Sequence, residues 1–149
     1  EVLHLGVEVQ GTDVAGVVCV SDGTLFIGHP EPNTPQQSGI VSVFNHNGNA
    51  WSGTALLNGP APTAGDLFGS AIAADRDLLL VSALNDDGGS GAVYAYVNIS
   101  GTWTYSYTLL SNASNITNAF GTTLALSYKY ALVGDPNNSG FNGVVNIFN

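Results

Sequence analysis

A sequence repeat with a period of about 52 residues constrains the fold of this chain more than any other feature. Shifting the chain by one period places Phe68-Gly69 on Phe120-Gly121, and the opposite shift places Trp103 on Trp51. Periods of this size are typical of β-propellers, in which each repeat forms a four-stranded sheet called a blade. The chain is therefore expected to be an array of similar sheets.

The middle repeat, Phe68–Leu110, contains four short apolar or alternating runs that are separated by turn residues. This spacing is typical of one four-stranded antiparallel sheet. The predicted strands of this repeat are Ser70–Ala74, Leu78–Ala83, Ala92–Val97 and Trp103–Leu110.

The flanking repeats contain the same elements. The first has predicted strands at Ala15–Val20, Thr24–Gly28, Ile40–Asn45 and Trp51–Leu57, and the third at Thr122–Ser127, Tyr130–Gly134 and Gly143–Phe148. The segments Asn58–Asp66 and Ser111–Ala119 are rich in turn-forming residues and are expected to link the units. No run keeps a helical period, so no helix is expected.

These elements predict an all-β fold, a β-propeller-type array of three four-stranded antiparallel blades in one domain of residues 1–149. The first blade is placed at 14–66, the second at 67–118 and a partial third at 119–149. Residues 1–13 are expected to supply a linker and the fourth strand of a split blade.

The motifs of the repeat resemble the FG-GAP repeat family, particularly its secreted form with repeats of about 50 residues. The family's Phe-Gly pair stands at Phe68-Gly69 and Phe120-Gly121, and is reduced to Ala15-Gly16 in the first unit. Its Gly-x-Trp stands at Gly101-Thr102-Trp103, whereas its Gly-Ala-Pro is not intact in any unit. The resemblance implies blades like those of integrin α-subunits, and such repeats serve adhesion, recognition and scaffolding alike.

The Phe-Gly pair has a physical interpretation of its own. A Phe at a strand entrance can wedge between adjacent sheets, while the following Gly lets two backbones approach closely. The residues predicted to pack between blades are Phe68, Gly69, Phe120, Gly121, Trp51 and Trp103. Tyr94, Tyr96, Tyr105 and Tyr107 alternate along their strands and are expected to pack likewise.

Charge and hydropathy exclude several classes of partner. The chain has only two basic residues, Arg76 and Lys129, and a net charge of −9. Nucleic-acid binding and attraction to anionic membranes are therefore not expected. No apolar run approaches the roughly 18 residues of a membrane span, so membrane insertion is not expected either.

Residues with potential chemistry do not form a known constellation. Asp86, Asp87 and Asp135 are the calcium candidates, because the resemblance places a calcium loop after the second strand in some family members. Their spacing favours turns, and no metal or other cofactor is predicted. The three His residues share no zinc-binding spacing and no nucleophile elbow is present, so an enzyme is not expected.

Four Asn-x-Ser/Thr sequons begin at Asn98, Asn112, Asn115 and Asn137. Three of the four lie in or beside turn-rich segments, where a glycan would be exposed. Together with the scarcity of Lys and Arg, they favour an extracellular or cell-surface protein.

The sequence therefore predicts a non-catalytic extracellular module that self-associates. The assembly strand is expected at Glu1–Leu5, with Val2, Leu3 and Leu5 as its apolar residues, and it would complete the third sheet of another copy. Repetition of that contact gives a larger ring or a filament. The alternatives are an adhesion propeller that binds a glycan or a cell-surface protein, and a fragment of a longer secreted propeller of six to eight blades.

If the source is eukaryotic, the four sequon Asn residues are the expected glycan acceptors in natively secreted material. Asn112 and Asn115 should compete, because they lie three residues apart in one linker. Peptide mass spectrometry should find a glycan on at least one of the four. Four unmodified Asn residues would contradict the prediction.

Overall fold

The protein is described by a computed structural model that covers residues 16–30, 37–111, 120–137 and 143–149. These residues form three antiparallel sheets that follow one another along the chain. The first two sheets have four strands and the third has three. The all-β prediction is confirmed.

The first sheet has the strand order β1-β2-β3-β4 and the second the order β5-β6-β7-β8, so consecutive strands pair as in a meander. The strands of the first sheet are β1 Val17–Ser21, β2 Thr24–His29, β3 Ile40–His46 and β4 Trp51–Leu57. Those of the second are β5 Phe68–Asp75, β6 Leu78–Ala83, β7 Ala92–Ile99 and β8 Thr102–Leu110.

The third sheet has the order β11-β10-β9, which leaves β11 at an edge. Its strands are β9 Thr123–Ser127, β10 Tyr130–Asp135 and β11 Val144–Phe148. The eleven strands predicted between residues 15 and 148 each overlap an observed one, with bounds that agree to within about two residues. The predicted strand Glu1–Leu5 lies outside the described residues.

One element was not expected from the sequence. A single helical turn, α1, spans Asp86–Gly89 between β6 and β7. Asp87 and Gly88 within it have left-handed backbone angles, with φ of 53° and 67°. The prediction that the chain contains no helix is wrong here, because so short and irregular a turn has no apolar periodicity to reveal it.

Tight turns with positive φ connect the two strands of a hairpin. In the β1–β2 turn, φ is 45° at Asp22 and 73° at Gly23, and in the β7–β8 turn it is 53° at Ser100 and 89° at Gly101. Two consecutive left-handed residues match the right-handed twist of the flanking strands. The side-chain oxygen of Asn98 accepts a hydrogen bond from the Gly101 amide at 2.8 Å and fixes the second of these turns.

Two apolar clusters hold the three sheets together. The first lies between the first and second sheets and contains Phe26, Val41, Val43, Ile72, Leu79 and Val81. The second lies between the second and third sheets and contains Leu80, Val93, Ala95, Phe120, Ala131 and Val133. The second sheet therefore buries both faces, which explains the continuous apolar run of β6.

Replacing Phe68 or Phe120 by Ala should lower the free energy of unfolding by roughly 3–5 kcal/mol, because each side chain is fully buried in one of the clusters. Tyr107→Ala is the control, since Tyr107 is 42% exposed and should cost less. Chemical denaturation measures all three. An unchanged midpoint in both Phe variants would contradict this packing role.

Candidate functional site

The junction between the first and second sheets depends on a close backbone contact. The Phe68 amide donates a hydrogen bond of 2.8 Å to the carbonyl of Ser38, and Phe68 forms an isolated parallel bridge with Gly39. A Cβ atom on Gly39 would lie 2.0 Å from the Phe68 carbonyl oxygen. Only glycine fits at position 39 with this spacing.

The second residue of the Phe-Gly pair makes a matching contact. Gly69 has a φ of 95°, and its carbonyl oxygen would lie 2.1 Å from a Cβ on Gly28. Two strands of the first sheet, β2 and β3, therefore meet the entrance of β5 at backbone distance.

The same arrangement recurs at the next junction. A Cβ on Gly91 would lie 2.4 Å from the Phe120 carbonyl oxygen. Gly121 has a φ of 88°, and a Cβ there would lie 2.9 Å from the side chains of Ser82 and Val93. Gly39 and Gly91 therefore have the same role in successive sheets, because each lies against the Phe carbonyl of a Phe-Gly pair.

Aromatic side chains surround the first Phe-Gly pair. The Phe68 ring centroid lies 6.0 Å from that of Tyr94 and 6.2 Å from that of Tyr96, and Tyr105 contacts both tyrosines at similar distances. Trp103 packs edge-on against Phe26 of the first sheet, with centroids 5.2 Å apart. Aromatic pairs at these separations add about 0.5–1.5 kcal/mol each beyond burial.

The tyrosine hydroxyls in this cluster have internal partners. Tyr94 donates to the Asp86 carboxylate, and Tyr96 donates to the backbone carbonyl of Asn58. Burial raises the pKa of both hydroxyls, and the bond to the Asp86 carboxylate raises the pKa of Tyr94 further. Both hydroxyls therefore remain protonated donors at neutral pH, and they tie α1 and the inter-sheet linker to β7.

The predicted packing residues occupy different environments. Phe68, Gly69, Phe120 and Gly121 are buried at the two junctions, and half-buried Trp103 bridges the first junction. The ring contact of Trp51 is with His46 in its own hairpin, at 5.0 Å.

The third sheet has an exposed apolar face. The corresponding faces of the first and second sheets are covered by the sheet that follows each of them. In β11, Val145 is 62% exposed and Ile147 is 66% exposed. By register, Val145 pairs with Gly134 as Val41 pairs with Gly28, yet Val41 is fully buried. We call Val145, Ile147 and the adjoining Gly134 the outer face of the third sheet.

The outer face of the third sheet borders a groove of about 450 Å³. Its lining includes Thr123, Gly134, Gly143, Val144 and Val145. Sequence reasoning missed this groove, although the 52-residue shift that aligns Gly39 with Gly91 also aligns Gly91 with Gly143 and could have indicated it.

The first sheet has a complementary exposed surface. Val18, Val20 and Leu56 are each more than 60% exposed, and we call them the outer face of the first sheet. By register, Val18 pairs with Ile27 as Ile72 pairs with Val81 in the second sheet. Ile72 is buried against the preceding sheet.

Two of the three calcium candidates, Asp86 and Asp135, accept hydrogen bonds from other residues. Asp86 accepts from Tyr94 and from the Asp87 amide, and Asp135 accepts from the Ser111 hydroxyl at 2.9 Å. In the part of the chain that the structure describes, no group of three or more His, Cys, Asp or Glu side chains is placed to hold a metal ion. The absence of a cofactor stays a prediction.

One Ser–His contact was not anticipated from the sequence. Ser42 Oγ lies 3.3 Å from His29 Nε2, and both residues are at most 4% exposed. A nucleophile needs access to its substrate, so this pair is a packing contact rather than a catalytic dyad.

The sequons and the assembly strand are only partly described. Asn98 is half-buried at the β7–β8 turn, where its side-chain oxygen accepts from Gly101, and Asn137 follows β10. Asn112, Asn115 and the strand Glu1–Leu5, with Val2, Leu3 and Leu5, lie outside the described residues.

Residues 51–96 match the FG-GAP repeat family. This segment is similar to an FG-GAP repeat. It runs from β4 into β7 and contains the Phe68-Gly69 pair, so the resemblance inferred from the motifs is confirmed there. Comparison of the chain with curated proteins gives no match. No helix among the described residues has the length and apolar sequence needed to cross a bilayer.

Asp66, inside the segment that matches the FG-GAP repeat family, provides a test of the electrostatics beside the Phe-Gly pair. Burial raises the pKa of its carboxyl, the Asp86 charge adds to that rise, and the hydrogen bond from the Thr63 amide partly opposes it. Because the folded-state pKa is raised, the fold loses stability as pH rises through it.

Asp66→Asn keeps an acceptor for Thr63 and removes the charge, so it should stabilise the fold at about pH 7 by up to about 1 kcal/mol. The gain should vanish at about pH 3, where the wild-type carboxyl is protonated. Thermal melts at the two pH values measure this, with the exposed Asp87→Asn as control. A clear loss of stability at neutral pH would contradict it.

Proposed function

We propose that this chain is a non-catalytic extracellular interaction module of the β-propeller type, which binds further copies of itself through its outer sheet faces. The observation that carries the proposal is the exposure of Val145 and Ile147 at positions whose counterparts in the first two sheets are buried. Apolar side chains gathered on one sheet face mark an interaction surface.

The two outer faces fit the two sides of the junctions already present. At each junction, one face of a sheet packs against the opposite face of the following sheet. The outer face of the third sheet corresponds to the face that packs against a following sheet. The outer face of the first sheet corresponds to the face that packs against a preceding sheet. A second copy can therefore continue the array by repeating a contact that the chain makes twice within itself.

This contact is head to tail, so it generates a ring when the rotation closes and a filament when it does not. The described residues form three sheets, fewer than the four to eight blades that closed propellers typically have. Pairing between copies is therefore the arrangement that we propose for the outer faces.

The predicted addition of Glu1–Leu5 to another copy is compatible with this contact. It would use the edge of β11, which has no neighbouring strand on that side among the described residues, whereas the sheet-to-sheet contact uses the face that carries Val145 and Ile147. An unpaired edge strand favours association of this kind. The two contacts are separable by experiment.

A ligand-binding function is the second candidate. The Arg76 guanidinium lies 4.6 Å from the centroid of the Tyr128 ring, beside a groove of about 340 Å³ that Asp75 and Asp77 also line. An aromatic ring with carboxylates and a guanidinium nearby suits a glycan or a polar protein loop. The third candidate is that the chain is part of a longer secreted propeller. Neighbouring repeats would then cover the same outer faces.

Val145→Asp and Ile147→Asp should each dissociate the assembly to the 15.3 kDa monomer, because each places a charge on the outer face of the third sheet. Sedimentation velocity measures particle mass, and circular dichroism checks the fold. Ile99→Asp is the matched control, since Ile99 is equally exposed but lies at the β7–β8 turn. A monomeric wild type would contradict self-association.

Deletion of Glu1–Leu5 distinguishes association through the edge of β11 from association through the outer sheet faces. If the deletion alone dissolves the assembly and both Asp variants keep the wild-type particle mass, the edge of β11 carries the association. If the deleted protein keeps its mass and the Asp variants lose theirs, the sheet faces carry it.

A further inference from the structure

The groove on the third sheet lies at the register position that receives a Phe-Gly pair in the first two sheets, although a Cβ on Gly134 would meet the Thr123 hydroxyl of its own sheet, at 2.3 Å. Gly134 pairs with Val145 in the register in which Gly28 pairs with Val41 and Ser82 pairs with Val93. Gly143 lies directly before β11, as Gly39 lies before β3 and Gly91 lies before β7. The glycines before these strands all have positive φ, which is 63° at Gly143, 94° at Gly39 and 88° at Gly91.

In the part of the chain that the structure describes, no Phe carbonyl takes the corresponding position beside Gly143. A Cβ on Gly39 or Gly91 would lie 2.0 or 2.4 Å from the carbonyl oxygen of Phe68 or Phe120. Among the described residues, the atom nearest to a Cβ on Gly143 would be the carbonyl oxygen of Pro136, in the turn after β10, at 3.4 Å. Gly143 and Pro136 both line the groove of about 450 Å³.

The first sheet has its own counterpart of the Phe-Gly glycine. Gly16 donates its amide to the Gly28 carbonyl at 3.0 Å, and Gly121 donates to the Gly134 carbonyl at the same distance. Gly16 is exposed, whereas Gly69 and Gly121 are buried at their junctions. In sequence, the residue before Gly16 is Ala15 in place of a Phe.

We propose that the groove lined by Gly134, Gly143 and Val145 is the receptor for the Ala15-Gly16 pair of a second copy. This inference rests on the proposed self-association and specifies which residues of the two copies meet. The groove would recognise the backbone of a residue–glycine pair at a strand entrance. In the Ala15-Gly16 pair, Ala15 lacks the ring that Phe68 and Phe120 bury at the inner junctions.

Two substitutions of opposite effect test this assignment. Gly143→Ala adds one methyl group where the partner backbone would lie, and should weaken self-association at least about tenfold. Ala15→Phe supplies the ring that the inner junctions have, and should strengthen self-association by about tenfold or more. In the double variant the gain should disappear, because the receptor is blocked.

Gly88→Ala is the matched control for backbone strain. Gly88 has a φ of 67°, close to that of Gly143, and a Cβ there would meet nothing within 4 Å. Sedimentation equilibrium gives the association constants of all four variants, and circular dichroism reports their folding. If Gly143→Ala does not fold, the effect of Ala15→Phe decides the question without it.

The outcomes separate this inference from the proposed function. Strong wild-type association that neither Gly143→Ala nor Ala15→Phe alters would overturn the receptor and leave self-association intact. A monomeric wild type whose Ala15→Phe variant associates, and loses that association on adding Gly143→Ala, would support the receptor and contradict natural self-association. Monomers throughout would overturn both.

Discussion

The contact between a Phe-Gly backbone and the glycine at the start of the preceding sheet's third strand is the constraint on which this structure depends. At Gly39 and Gly91 the space left for a Cβ atom is already filled by a carbonyl oxygen. Sheets brought to this distance bury Phe68 and Phe120 between them, and each buried ring stabilises the junction by roughly 1.5–3 kcal/mol. The backbone contact sets the spacing and the side chains supply most of the energy.

Because each junction joins unlike faces, an array built this way has two different outer faces. One is apolar and grooved beside Gly143, and the other is apolar around Val18 and Val20. A repeat protein with such faces must cover them with caps, neighbouring repeats or other molecules to remain soluble. The net charge of −9 opposes indiscriminate contact between copies and favours a contact with defined geometry.

Much of this architecture could be predicted from the sequence. Alternating apolar runs separated by turn residues located the eleven strands that the described residues form, since a strand with one or two buried faces leaves a visible period in the sequence. The helical turn at Asp86–Gly89 could not be found this way, because left-handed angles at Asp87 and Gly88 leave no apolar pattern. The groove and the buried Ser42–His29 contact depend on which strands become neighbours, and no local pattern encodes that.

The most direct test of the account is methyl NMR of the uniformly folded protein across a range from micromolar to millimolar concentration. The account predicts that methyl signals of Val145 and Ile147 change together with those of Val18 and Val20, because opposite faces meet in one contact. Signals of buried Val41 and Val93 should stay constant. Unchanged signals on both outer faces, or changes on only one, would contradict head-to-tail pairing of the sheets.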